Sequence, residues 1–394
     1  MKTKRTFIIC ILCSLLGNLF AQQIDFTSKT IKLIPEKSYL ATADWKTIFY
    51  DESEQDVPTK VGLNKQVRIA RDGSVFISDR SKFSITKFDN SGRIVKTFGK
   101  QGWNNGEFAN NQDLDCIYND ELLVVSDNQG RINFFDLDGN FVKLITIDFM
   151  PNRIFALKSG KLIVYGFTPW KGHSKHLLAE LDYETGTYVQ FFETLVPYDK
   201  VMRISIPTDN GVIGVGAPYT AASTKIKINP NDQIIYAKNS EDKVTILTKN
   251  NGKWETSEFK IGIEPIPIDE SEQEEYYQKF KQQLIDKGHD PKYAEQIKEP
   301  GFYPEHLPYY YNLIVDDASN CLFFVYSNEN KDHVFQAYSI DGKFLGESEF
   351  KIDGYDLMSK LGHFTFKDGY VYTLALKHNE DVPLRILKCK VVSE

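Results

Sequence analysis

The sequence predicts an all-β fold, a six-bladed β-propeller of four-stranded blades. An N-terminal strand closes the ring, and a small helical insertion interrupts it. Three observations predict this. The first is an internal repeat. Residues 73–99, GSVFISDRSKFSITKFDNSGRIVKTFG, and 121–145, ELLVVSDNQGRINFFDLDGNFVKLI, both read as strand, Ser-Asp turn, strand ending Phe-Asp, glycine turn, strand. The second is its period. Gly92, Gly139 and Gly186 stand 47 residues apart, the third in a weaker copy made of KLIVYGF and HLLAELDYETGTYVQFF. Four short alternating strands joined by glycine turns in such a period make one propeller blade. The third is the remainder. Gly252 follows Gly186 by one period plus 19 residues, and Gly342 follows Gly252 by one period plus 43. One further period reaches Cys389 in the strand ILKCKVV, so the sixth unit lacks its outermost strand. Proteins avoid unpaired strand edges. The alternating segment 24–34, IDFTSKTIKLI, is therefore expected to pair with the last blade.

Taken in order, the elements begin with a leader. Lys2, Lys4 and Arg5 precede the apolar run Phe7 to Leu16 and the exit Leu19-Phe20-Ala21, the layout of a secretory signal cut after Ala21. The run is shorter than the roughly 20 residues of a membrane span. Residues 1–21 are thus expected to be removed, leaving 22–394 as an exported propeller, periplasmic or extracellular, without a membrane span. The 394-residue chain carries a formal charge of −7, which becomes −10 once the three leader cations are gone. That balance argues against nucleic acid, whose binding draws on clustered Lys and Arg. Cys116, Cys321 and Cys389 sit in separate strand-like runs, with no spacing for a disulfide framework or a ligand cluster, and read as small buried hydrophobes.

The connections are unequal. Adjacent strands are antiparallel, so A–B and C–D turns share one face while B–C turns and D-to-A links share the other. Asp72-Gly73, Ser159-Gly160, Asn231-Asp232, Ser91-Gly92, Asp138-Gly139 and Asn251-Gly252 keep the first face short. The second face carries the 99–106 link with Trp103, the loop FTPWKGHSKH with Trp170, the 200–222 link and the insertion, about 262–308. Elaborated loops on a rigid scaffold mark the working face. Within the insertion, Ser271 and Glu274 read as a capping box, Tyr276, Phe280 and Leu284 as a buried stripe, and Gly288 as a stop. The sequel GFYPEHLPYYYN brings Phe302, Tyr303 and Tyr309 to Tyr311 toward the channel rim, where aromatics with polar tips suit a sugar or peptide.

The runs VFISDRSKFSITKFDNSGRIVKTFGKQGWNNGEF and LLVVSDNQGRINFFDLDGNFVKLI resemble NHL repeats. The mature chain is similar to exported six-bladed propellers of that superfamily with a helical insertion after blade four. The resemblance implies the fold more than a function, because one fold hosts many activities. It also raises a rival to simple binding, since some propellers of this architecture are metal-dependent lactonases, or lyases with zinc or calcium at the channel mouth.

The inner strands would present Gln66, Asp113, Arg153, Lys225, Asn312 and His363 at that mouth. One acid and one histidine among two cations make neither a calcium cage nor a three-histidine zinc site. His173 and His176, three apart in a glycine-containing loop, read as solvated, and Asp79 and Asp127 as turn caps. There is no Gly-x-Ser-x-Gly elbow, P-loop or dinucleotide fingerprint. The expectation is a monomeric, non-enzymatic, cofactor-free protein that binds a glycan, peptide or envelope protein through Trp103, Trp170, Arg153, Asp113, Tyr303, Tyr310 and His363. The rival is a hydrolase or lyase using Asp113, His363 and a metal.

Overall fold

A computed structural model describes residues 30–49, 65–110, 112–170, 173–197, 203–208, 211–216, 223–299, 303, 305–316, 320–328, 331–358, 364–367 and 369–393. The leader and His363 lie outside the described residues. Blades one to five each contain four antiparallel strands in chain order, A to D from the axis outward. Their bounds are 65–98, 112–146, 150–197, 224–260 and 312–351. In blade six the inner strand runs in two pieces, Tyr355–Leu357 and Phe364–Lys367, both paired with Tyr370–Lys377. Next outward comes Leu384–Ser393. The N-terminal strand Thr30–Pro35 completes the blade, antiparallel to it, with Leu33 opposite Val391 and Pro35 opposite Cys389. The predicted closure is present. The same strand also pairs in parallel with the outer strand of blade five, Thr30 opposite Glu349, so it ties two blades together.

Alternation along the strands explains where the core lies. Each blade buries side chains on both of its faces against its neighbours. One cluster, with Phe76, Ile85, Phe108, Leu123 and Phe135, fills the gap between blades one and two. Equivalent clusters fill the gaps from two to three, three to four, four to five and five to six. A further one joins blade six back to blade one through Leu374, Ile386, Val75 and Ile77. Each fully buried Phe or Leu contributes about 1.5–3 kcal/mol. Some of the repeat glycines belong to this packing. Gly139 has φ +73°, and a Cβ there would come within 2.4 Å of Phe98 in the preceding blade. Asp79 and Asp127 do cap their turns, accepting from Ser81 N and Gln129 N.

The insertion forms a layer of its own. Its helix, Glu270–Asp286, is capped by Asp269 and Glu272 rather than by the Ser271–Glu274 pair read from sequence. Asp is as good an N-cap as Ser and stands nearer the start, so the helix begins earlier. Tyr276, Phe280 and Leu284 are buried as expected, and Gly288 ends the helix at φ +75°. They pack with Ala294 and Ile297 and with Ile206, from a hairpin (Arg203–Thr208 and Gly211–Gly216) in the link between blades three and four. An antiparallel bridge between Pro267 and His306 closes the base.

Candidate functional site

The inner strands start on the elaborated face, so their first residues gather around the channel mouth. Asp113, in the inner strand of blade two (Gln112–Tyr118), is buried. Its Oδ1 accepts from the Gln66 amide, from the Arg80 guanidinium and, at 2.7 Å, from Arg153 Nη1. Three blades therefore converge on one carboxylate oxygen. Arg80 comes from the B–C turn of blade one and also donates to the Gln112 carbonyl at 3.2 Å. The sequence reading missed it, because a cation one residue past a repeated Asp looks like turn surface.

Two residues along the same strand, Asp115 accepts Ser126 N and Oγ at 3.1 and 2.6 Å, and Ile154 N at 3.0 Å. Burial first, and then the nearby Asp113 charge, push its carboxyl well above the usual range. Arg68 donates to the carbonyls of Asp115 at 2.7 Å and Val67 at 2.8 Å. Its side chain is half-buried. Arg68 and Lys225 both fall below their ordinary values, in each case through burial first and the Arg153 charge second. The mouth is thus cationic within an acidic chain.

The other sequence-predicted residues lie elsewhere. Trp103 stands 70% exposed on the link between blades one and two. Its ring lies 5.7 Å from the guanidinium of Arg131, which is buried and donates to the Gly102 and Asn104 carbonyls. The link therefore offers an exposed indole on a rigid support. Trp170 ends a strand, Leu162–Trp170, that pairs with His173–Leu181. The predicted FTPWKGHSKH loop is thus mostly an extended hairpin, flanked along its length by Tyr188–Pro197. His176 is a strand residue, half-buried and 2.6 Å from the Tyr165 hydroxyl, with burial depressing its affinity for a proton. Tyr303 packs edge-on against Tyr276 and donates to the Gln273 carbonyl at 3.2 Å. Tyr310 does not reach the rim. It is fully buried against Phe324 between blades four and five, because this ring fills the gap between those blades and leaves no face for a ligand.

A second concavity of about 250 Å³ opens between blades three and four. Its charges are paired locally, Lys238 with Glu241 at 3.3 Å and Lys243 with Glu258 at 3.1 Å. Among the described residues no three His, Cys, Asp or Glu side chains gather as metal ligands.

Residues 59–254 match the family model DUF5128, described as a 6-bladed beta-propeller. This chain is a six-bladed β-propeller. Among solved structures the propeller is similar to a member of the DUF4221 family from Bacteroides vulgatus. Identity is 12%, coverage 93% of this chain and 100% of that one, and the TM-score 0.49. It is also similar to virginiamycin B lyase from Staphylococcus aureus, at 13% identity, 84% and 96% coverage and a TM-score of 0.41. A gluconolactonase from Xanthomonas campestris aligns at 9% identity, 83% and 86% coverage and a TM-score of 0.42. At this distance the likeness concerns the fold alone. No curated protein matches the sequence.

Proposed function

We propose that this propeller is an exported binding protein that holds a glycan, peptide or partner protein on its elaborated face without catalysing a reaction on it. The observation that carries the reading is the setting of Trp103, an indole 70% exposed on a link braced by the buried Arg131. An indole held open on a braced link presents a ring face ready to stack on a partner at little cost in side-chain ordering. Among the three partner classes a glycan suits the open indole face, which can stack on a sugar ring. Export follows from the leader pattern of residues 1–21, and no helix among the described residues is long and apolar enough to cross a membrane.

The rival hydrolase or lyase reading would need Asp113 as a base or metal ligand. Two guanidinium groups already occupy its Oδ1, which leaves that oxygen poorly placed for either role. The test is Trp103→Ala against immobilised glycan and peptide panels. Affinity for the captured ligand should fall by roughly thirty-fold, as for a hot-spot aromatic, while stability changes by less than about 0.5 kcal/mol. Unchanged binding across both panels would sink the reading.

A further inference from the structure

We propose that the channel mouth is a carboxylate site for a sugar acid, its anion held by Arg153 and Lys225 and an adjacent hydroxyl by Gln66. This rests on the binding reading above and names its ligand chemistry. The argument starts from Lys225, which opens the inner strand of blade four (Thr224–Ile228) and is half-buried. It makes no hydrogen bond or ion pair with any described residue, and its register opposite Ala237 repeats that of Arg153 opposite Tyr165, so the two cations open neighbouring inner strands at the same level of the mouth. A desolvated ammonium beside a guanidinium is unfavourable on both counts.

The neighbouring cations are accounted for. Arg68 rests on backbone carbonyls, Arg80 on Asp113, and Lys65 on the Phe49 carbonyl and, at 3.6 Å, Asp79. Arg153 commits only Nη1, to Asp113 and to the Asn152 carbonyl at 3.1 Å, and its side chain is 41% exposed. Its remaining N–H edge and the Lys225 ammonium thus form an anion site whose planar fork matches a carboxylate. Gln66 Oε1 is buried without a partner, an acceptor in want of a donor. A hydroxyl close to a carboxylate meets both demands, and a sugar acid carries both.

The experiment is calorimetry and thermal melting of the mature protein with galacturonate, galactose, chloride and an acidic peptide at equal ionic strength. Galacturonate should bind and raise Tm, while galactose and chloride do neither. Lys225→Met should weaken galacturonate roughly thirty-fold, as loss of one member of a buried charge pair does. The same variant should raise the Tm of the ligand-free protein, a gain that a structural lysine would not give. Lys225→Gln provides the same comparison with a polar side chain, should the apolar one misfold. Equal responses to galactose or chloride, preference for the acidic peptide, or full galacturonate affinity in both variants would overturn the proposal. Neutral glycans captured through Trp103 with no response to galacturonate would overturn it too, yet leave the binding reading standing.

Discussion

Asp115 divides its two carboxylate oxygens between blades. Oδ2 serves Ser126 within blade two and Oδ1 takes the backbone N–H of Ile154 in blade three. Its folded pKa is raised, by burial first and by Asp113 second, so the native state holds a proton that the unfolded chain gives up. The sign follows from proton counting. Where the native state binds more protons, stability falls as pH rises. The contribution is fully present below the ordinary carboxylate value of about 3.9 and is lost as pH climbs through the raised one. Asp115→Asn removes this proton linkage. The Tm difference between wild type and variant should therefore be larger at pH 5 than at pH 8. A difference that grows toward pH 8 would show that the carboxylate is stabilised in its charged form. Part of the cost, about 1–3 kcal/mol from the mismatched donor, should be the same at both pH values.

At the scale of the element, the C–D turns show why the repeat was readable. Gly139 and Gly252 both adopt positive φ, +73° and +80°, so both exact the left-handed cost of a side chain, about 1–2 kcal/mol. They differ in surroundings. A Cβ at Gly139 would strike Phe98, and one at Gly252 would meet nothing within 4 Å. Gly139→Ala should therefore destabilise by more than Gly252→Ala in chemical denaturation, and equal losses would mean the turn alone demands glycine. The positive φ that Gly92, Gly139 and Gly186 share wrote the 47-residue period into the sequence, and at Gly92 and Gly139 a close neighbour adds to the demand. Local rules likewise exposed the aromatic stripe of the insertion and the closing strand. What local rules did not expose is what distant strands decide. Tyr310 looked like a rim aromatic beside Tyr309 and Tyr311, yet the gap between two blades claims it. The Trp170 hairpin looked like a loop because Pro and Gly punctuate it, yet a third strand pairs along its length. Arg80 reaches Asp113 across 33 residues of sequence, and no periodicity marks such a pair.

For the whole molecule, closure is the property on which the others depend. A ring of blades gains from each gap only if the last gap is also filled, and here that task falls to a strand from the opposite end of the chain. Thr30–Pro35 supplies Ile31 and Leu33 to the cluster between blades five and six, while Ile34 points away and is 47% exposed. The alternation gives a paired experiment on adjacent residues. Leu33→Asp places an unpaired carboxylate in a packed interface, where the penalty is several kcal/mol. Ile34→Asp changes a solvated side chain and should stay within about 0.5 kcal/mol. Calorimetry should show a large fall in Tm for the first and almost none for the second. Limited proteolysis of the first should begin in blade six, near residues 378–383, because its strands lose their outer partner before the other gaps open. If both substitutions were equally mild, the strand would be an accessory to a ring already stable without it. If both were severe, backbone pairing rather than the buried face would hold the ring shut.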